Sequence, residues 1–196
     1  MKTSLPDLIQ SKPYIGFNGV FAEHLFNNSM KATHINELDR AALKQMRFDL
    51  IYLRMAHEWS KNSCCKRKQV GSIIVNNHKI ISDGYNGMPK GFDNRCEDEH
   101  TGETKWNVLH AEANALMKLT HSSDSAIGST VYLTFSPCRE CSKLMHQAGV
   151  TRMVFTRTHS NVEGLHFLHN GGVDIWRYPE SLFDRFDKLN EMINSK

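Results

Sequence analysis

Short runs rich in β-branched residues alternate with helical patterns through most of this 196-residue sequence. The runs VGSIIV and KIISDGYNG, separated by the polar turn NNH, predict a β-hairpin. The runs STVYLTF, TRMVFT and GVDIWRY predict three further strands, and the helical segments VLHAEANALMKL and CRECSKLMHQAG precede the first two of them. Strands that alternate with helices form layered folds with right-handed crossovers. The sequence therefore predicts a three-layer α/β/α fold with a mixed sheet of about five strands.

Helices are also predicted on both sides of this pattern. From Asn36, a favourable N-cap, apolar residues recur at helical spacing and predict a long first helix: Leu43, Met46, Leu50, Leu53 and Trp59. The segment YPESLFDRFDKLNEMINSK predicts a terminal amphipathic helix. Residues 1–35 show no sustained period. We therefore divide the chain into an N-terminal extension of unknown role, residues 1–35, and one folded domain, residues 36–196.

Composition narrows the location of the protein and the class of its ligand. The sequence contains no run of about 18 apolar residues, the length needed to span a bilayer, and no signal-peptide pattern at its N-terminus. We therefore expect a cytoplasmic protein without a membrane partner. A net charge of +3 suits a small anionic ligand but is too mild to argue for nucleic acid. Five cysteines is an odd number, which favours a metal over a disulfide framework in a reducing compartment.

Two predicted helix starts carry residues suited to one zinc ion. His110 and Glu112 lie two residues apart, and in a first helical turn His110 can still reach sideways to a metal. Cys138 and Cys141, at i and i+3, share one helix face. Three protein ligands leave the fourth zinc position to water, and Glu112 is then the base for that water. A structural zinc knuckle, the alternative for Cys-x-x-Cys, needs a fourth protein ligand and has no use for Glu112.

His-x-Glu followed by Pro-Cys-x-x-Cys is the signature of the zinc deaminases. In order and spacing, the segments QVGSIIV, GYNGMPKGF, HAEANA and SPCRECSKLMHQAGV resemble the deoxycytidylate (dCMP) deaminases of the cytidine deaminase superfamily, over residues 48–176. This resemblance implies the superfamily's fold and hydrolysis of dCMP to dUMP and ammonia, which supplies dUMP for thymidylate synthesis. It implies zinc on His110, Cys138 and Cys141, and Glu112 as the proton carrier.

Two alternatives to a dCMP deaminase stay open. One is a deaminase for another cytosine or adenine nucleotide, including a tRNA base. The other is a catalytically silent zinc-binding domain that senses deoxynucleotides.

The resemblance also implies substrate contacts. Asn86 corresponds to an asparagine that contacts the deoxyribose, and Arg67, with Lys68 as a neighbouring candidate, corresponds to an arginine suited to the 5′-phosphate. Similar enzymes usually place a tyrosine near this phosphate after the fourth strand, where the present chain reads TRTH. His159 or Arg157 is expected to take that place.

Several members of the family have a second, structural zinc ion. Cys65, Cys96 and His100 fall at or within one residue of its ligand positions, and either Cys64 or Glu103 is a candidate fourth ligand. The competing interpretation is that these are reduced cysteines that only pack in the core.

The resemblance further implies regulation and assembly. Family members are commonly activated by dCTP and inhibited by dTTP, with Mg²⁺ on the triphosphate. The turn formed by Gly84, Tyr85, Asn86 and Gly87 matches part of that allosteric site. The resemblance also implies a homo-oligomer, a hexamer or a smaller even-numbered assembly.

Overall fold

A five-stranded mixed sheet forms the middle layer of the protein. The structure, a computed structural model, describes residues 37–186 and 190–191. The strands are β1 (Gly71–Asn76), β2 (Lys79–Tyr85), β3 (Thr130–Phe135), β4 (Arg152–Arg157) and β5 (Asp174–Arg177). Their order is β2-β1-β3-β4-β5, with β1 antiparallel to both neighbours and β3, β4 and β5 parallel. The predicted hairpin and the predicted five-stranded mixed sheet are both confirmed.

Helices cover both faces of this sheet. They are α1 (Glu37–Ser60), α2 (Ala111–Leu119), α3 (Arg139–Gln147), α4 (Glu163–Asn170) and a 3₁₀ helix (Glu180–Arg185). Because side chains alternate along a strand, Tyr132 of β3 packs in the α1 cluster and its neighbour Leu133 packs with α2, α3 and α4. The three-layer α/β/α prediction is therefore confirmed. No helix in the described ranges is long and apolar enough to cross a membrane.

The predicted first helix is present, but one residue of its apolar pattern is not in the core. Leu43, Met46, Leu50 and Leu53 are buried, whereas 39% of Trp59 is exposed. The buried stripe continues through Ala56 and Ser60 instead, so Trp59 lies one position off the face that meets the sheet. Asn36 and the predicted extension, residues 1–35, lie outside the described residues.

Two helical elements near the C-terminus differ from the predictions. Helix α4 was not predicted, because its eight residues bury only Gly164, Leu165 and Leu168 and so give a weak periodic signal. The predicted terminal helix begins as the 3₁₀ helix at Glu180 rather than as an α-helix. Most of its remaining residues lie outside the described part of the chain.

A buried ion pair joins α1 to β4. The Asp49 carboxylate is fully buried and accepts two hydrogen bonds from the Arg152 guanidinium, each 2.8 Å long. The hydroxyl of Tyr132 and the side-chain amide of Gln45 donate to the same carboxylate at 2.8 and 3.0 Å. Four donors satisfy this buried charge and hold α1 in one position on the sheet.

Candidate active site

Four strands bring candidate residues to one edge of the sheet. Because β1 is antiparallel to β2 and β3, the start of β1 lies beside the ends of β2 and β3, and Gly71 pairs with Tyr85. The end of β4 is at the same edge, where Arg157 pairs with Phe135. The starts of α2 and α3 follow this edge in sequence. The segments that carry the predicted site residues therefore converge.

The three predicted zinc ligands come together at these helix starts. His110 is the N-cap residue of α2 and Cys138 is the N-cap residue of α3. The Nδ1 atom of His110 lies 3.4 Å from the Sγ atom of Cys138 and 3.5 Å from that of Cys141. Nitrogen and sulfur atoms bound tetrahedrally to one zinc ion are roughly 3.5 Å apart, given bond lengths of about 2.0–2.3 Å. The geometry of these three residues therefore fits a zinc ion.

Hydrogen bonds prepare this cluster for a metal. The Cys141 thiol donates to Cys138 and lowers the pKa of Cys138 to about 3, and His110 and the Cys141 backbone N–H act in the same direction. The hydrogen bond with Cys138 and burial raise the pKa of Cys141, and the hydrogen bond with Cys138 also raises the pKa of His110. One thiolate is thus already stabilised, and metal binding would displace the remaining protons.

Glu112 is a buried carboxyl group beside these ligands. Only 5% of the residue is exposed, and burial is the main reason that its pKa is raised to about 7. It lies in the first turn of α2 and lines the same cavity as His110 and Cys138. A carboxyl group with a pKa near neutrality can both accept and release a proton.

The cavity beside Glu112, here called the substrate cavity, has a volume of about 280 Å³. The predicted residues Arg67, Lys68, Asn86 and His159 all line it. Six further lining residues were not predicted: Val70, Thr104, Val108, Ala111, Phe135 and Ser136. Phe135 and Ser136 directly precede the Pro-Cys-x-x-Cys motif and could have been found by that position, whereas Thr104 has no sequence signal.

Asn86 organises the wall of the substrate cavity. Its side-chain oxygen accepts a hydrogen bond from the Val70 N–H, and its side-chain amide donates to the Lys68 carbonyl, both at 2.8 Å. These bonds position the segment that carries Arg67 and Lys68. One amide hydrogen and one lone pair of Asn86 remain for a ligand.

His159 also lines the substrate cavity. Its backbone N–H donates to the Ser136 hydroxyl at 2.7 Å, and its Nδ1 atom accepts from the Asn161 N–H at 3.2 Å. Burial first, and then the charge of Lys68, lower the pKa of His159. A neutral ring that accepts at Nδ1 carries its hydrogen on Nε2, so His159 offers a donor.

Arg157, the other candidate for the phosphate, is held elsewhere. Its guanidinium pairs with both carboxylate oxygens of Glu180 in the 3₁₀ helix, at 2.6 and 2.9 Å. It does not line the substrate cavity but lines a neighbouring one.

The remaining cysteines form a second cluster that differs from the prediction. Cys65 and Cys96 are joined by a disulfide, and the Sγ atom of Cys64 lies 3.4 Å from that of Cys96. These three sulfur atoms form a possible metal site among the described residues, and His100 and Glu103 are not part of it. The structure therefore brings Cys65 and Cys96 together with Cys64, which was one of the two candidate fourth ligands, and leaves out Glu103 and the exposed His100. His100 lies instead in a turn, where its backbone N–H donates a hydrogen bond to the Asp98 carboxylate.

Gly84 allows β2 to approach the start of α2. A Cβ atom at this position would overlap the carbonyl oxygen of Ala111 and lie 2.7 Å from the backbone nitrogen of Ala115. A Cβ atom on Gly87, in the same turn, would find only the Cys64 sulfur at 3.9 Å. The turn that was predicted to bind a nucleotide thus also fixes the helix that carries Glu112.

We expect the Gly84→Ala substitution to lower the free energy of unfolding by about 1–3 kcal/mol, because two backbone segments must separate. The shift also displaces His110 and Glu112, so kcat should fall. Urea unfolding and a deamination assay measure the two effects. The matched Gly87→Ala variant should stay within about 0.5 kcal/mol of the unsubstituted protein. Equal stability of the two variants would contradict this explanation.

Comparison with known proteins identifies the family. The profile of the cytidine and deoxycytidylate deaminase zinc-binding region matches residues 46–157, which is more than half of the chain. The chain belongs to this family. The matched range contains His110, Glu112, Cys138 and Cys141. The family's zinc-binding region and the Cys/His cluster together support zinc as the metal of this deaminase-family chain.

Relatives of this family member include phage enzymes. Deoxycytidylate deaminase of Enterobacteria phage T4 is 29% identical over 185 residues, which cover 72% of this chain and 94% of the relative. That of Mycobacterium phage D29 is 32% identical over 123 residues, covering 56% and 94%. Among solved structures, the crystal structure of dCMP deaminase from cyanophage S-TIM5 in complex with dCMP and dUMP has a similar fold, with a TM-score of 0.63, and its sequence is 38% identical to this chain. It covers 74% of this chain and all of that one.

Proposed function

We propose that this protein hydrolyses dCMP to dUMP and ammonia. The observation that carries the proposal is that one cavity is lined by a buried carboxyl group, Glu112, by two of the proposed zinc ligands, His110 and Cys138, and by the cations Arg67 and Lys68. Hydrolytic removal of a nucleobase amine requires a metal site and a proton carrier, which the ligands and Glu112 would provide. Binding of a 5′-phosphate requires cations such as Arg67 and Lys68. The S-TIM5 relative, which was crystallised with dCMP and dUMP, supports the same substrate.

Each residue has a defined task in this reaction. His110, Cys138 and Cys141 would hold a zinc ion, which would supply Lewis-acid activation of a water molecule. Glu112 accepts one proton of that water and passes it to N3 of the cytosine, then accepts the second proton from the hydroxyl group now bound to C4 and delivers it to the amino group, which leaves as ammonia. Burial raises the pKa of Glu112, which favours the protonated form that both deliveries require.

The remaining cavity residues hold the nucleotide. Asn86 binds the deoxyribose through the amide hydrogen and lone pair that the Lys68 and Val70 backbone leave free. Arg67 and Lys68 bind the 5′-phosphate, and His159 donates to it through Nε2.

A comparison of substrates tests this function. We expect dCMP to be deaminated with a higher kcat/KM than deoxycytidine, dCTP or an adenine-containing RNA stem-loop. Faster turnover of the stem-loop would support a tRNA deaminase instead. Absence of turnover with every compound would support a nucleotide sensor.

We expect Arg67→Gln to raise KM for dCMP by about 10–100-fold with a smaller effect on kcat, because a charge-assisted bond to the phosphate is lost. Steady-state kinetics measure this effect. Deoxycytidine is the internal control, because it has no phosphate, and its kcat/KM should be unchanged. An equal loss with both substrates would show that Arg67 acts on the fold rather than on the phosphate.

A second zinc ion is part of the proposal. When Cys65 and Cys96 are reduced, their thiolates and that of Cys64 are close enough to share one ion, and this ion would connect the segment after α1 to the loop that contains Cys96. Protein purified under reducing conditions is expected to contain two zinc ions per chain, and Cys64→Ser one. One zinc ion in both proteins would reject the second site.

Regulation, assembly and location complete the proposal. The turn formed by residues 84–87 is the proposed site for dCTP as activator and dTTP as inhibitor, each with Mg²⁺, and saturation kinetics with each triphosphate test it.

We also propose an even-numbered homo-oligomer, because the exposed side chains of Phe92 and Trp106, the latter 95% exposed, suit subunit contacts. The proposed location is the cytoplasm, where thiol ligands stay reduced.

A further inference from the structure

A second cavity, of about 770 Å³, lies beside the substrate cavity. The end of α1, residues 64–69, the ends of β3 and β4 and the 3₁₀ helix line it. Its volume is in the range of small-molecule binding sites. The task assigned above to the active site does not use this space.

The charge of this second cavity is strongly unbalanced. Five cations line it, Lys61, Lys66, Arg67, Lys68 and Arg157, against two carboxylates, Glu58 and Glu180. Burial lowers the pKa of His57, so this residue does not add to the charge near neutral pH. Three net positive charges therefore face one concave surface, which concentrates their field on an anion.

Both carboxylates are already neutralised by their own neighbours. Glu58 pairs with Lys61 at 2.8 Å, and Glu180 pairs with Arg157 at 2.6 Å. Among the residues that line this cavity, the cations without a carboxylate partner are therefore Lys66, Arg67 and Lys68, which are consecutive in sequence and exposed. The Glu97 carboxylate, which lines a third cavity, accepts hydrogen bonds from the backbone N–H groups of Lys66 and Arg67, at 2.8 and 3.1 Å. Even if Cys64, Cys65 and Cys96 hold zinc as thiolates, the one negative charge of that complex leaves the cavity positive.

The two cavities share a wall. Arg67, Lys68 and Phe135 line both of them. The Lys68 ammonium lies 5.5 Å and the Arg157 guanidinium 5.4 Å from the centre of the Phe135 ring. This ring therefore contacts one cation that lines both cavities, Lys68, and one that lines only the second, Arg157. An anion in the second cavity would therefore lie next to the proposed 5′-phosphate position.

We propose that the second cavity is a binding site for a phosphate chain, adjacent to the position of the substrate's own phosphate and distinct from the turn at residues 84–87. Of these two cavities, Lys66 lines only the second, whereas Arg67 and Lys68 line both. The phosphate chain belongs either to a nucleotide whose base occupies the substrate cavity or to a separate ligand. The binding site itself does not depend on which nucleotide is deaminated.

The test is calorimetric titration of the zinc-loaded full-length protein with inorganic pyrophosphate. We expect saturable binding that Lys66→Gln weakens by about five- to tenfold, since one cation near the anion is lost. Lys79→Gln is the matched control: it removes another exposed cation, which pairs with Asp124 and lies at the start of β2, whereas the cavity residue Asn86 follows the other end of that strand. This substitution should change the dissociation constant less than twofold. The kinetics of dCMP should be unchanged in both variants without pyrophosphate.

Two kinetic measurements distinguish the sources of the phosphate chain. If dCDP is deaminated and Lys66→Gln lowers kcat/KM for dCDP but not for dCMP, the chain belongs to the substrate. If pyrophosphate alters dCMP turnover in the parent protein and less so in Lys66→Gln, the chain belongs to a separate ligand. Absence of pyrophosphate binding, or equal binding to the parent and Lys66→Gln, would overturn the proposal. The proposed function would then still stand if dCMP is turned over.

Discussion

Glu112→Gln is expected to lower kcat for dCMP by about 10³- to 10⁴-fold while zinc stays bound. Glu112 is 5% exposed, and the substitution keeps the volume of its side chain. It removes the carboxylate that is proposed to accept the water proton. Positioned general acid–base groups contribute about 10²- to 10⁴-fold, and Glu112 is proposed to serve in more than one proton transfer. The effect should therefore fall in the upper part of that range.

The measurements are steady-state kinetics with dCMP and zinc analysis of the same preparation. Glu140→Gln is the matched control, because Glu140 also lies in the first turn of a helix of the site but is exposed and pairs with Lys143. It should retain activity within about twofold. Retained activity in Glu112→Gln would mean that another group transfers the proton. Loss of zinc along with activity would instead assign Glu112 a structural role.

Asp49→Ala is expected to lower the free energy of unfolding by about 3–5 kcal/mol. The substitution leaves the Arg152 guanidinium, whose side chain is 17% exposed, without the carboxylate that accepts two of its hydrogen bonds. It also removes the acceptor of the buried Tyr132 hydroxyl. The Asp174 carboxylate, 3.4 Å from the Arg152 Nε atom, remains nearby, but the guanidinium then lacks two hydrogen bonds and the hydroxyl lacks its acceptor, and both losses are costly in the interior.

Urea unfolding followed by circular dichroism measures this loss. Asp124→Ala is the matched control, because Asp124 forms a surface pair with Lys79 at 2.8 Å, and surface pairs contribute about 0–1 kcal/mol. Similar losses in the two variants would show that the Asp49–Arg152 pair contributes no more than a solvated one.

The order of elements was predictable because it depends on local patterns. The β-branched strands, the hairpin turn and the helix starts at His110 and Cys138 are each written in a few consecutive residues. Helix α4 was missed because its helical pattern is short and its position depends on close packing at Gly164. A Cβ atom on Gly164 would lie 2.5 Å from the Pro137 carbonyl oxygen.

The chemistry of the site could be predicted from local spacing, because His-x-Glu and Cys-x-x-Cys place the candidate ligands and the candidate base on two helix starts. The tertiary structure alone decided which other groups meet them. It brought Cys64 rather than Glu103 to the second cysteine cluster, left His100 out of that cluster and turned Arg157 away toward Glu180. It also placed Arg67 and Lys68 between two cavities. Such contacts join residues far apart in sequence, and their distances follow from how the helices pack on the sheet, which no local pattern records.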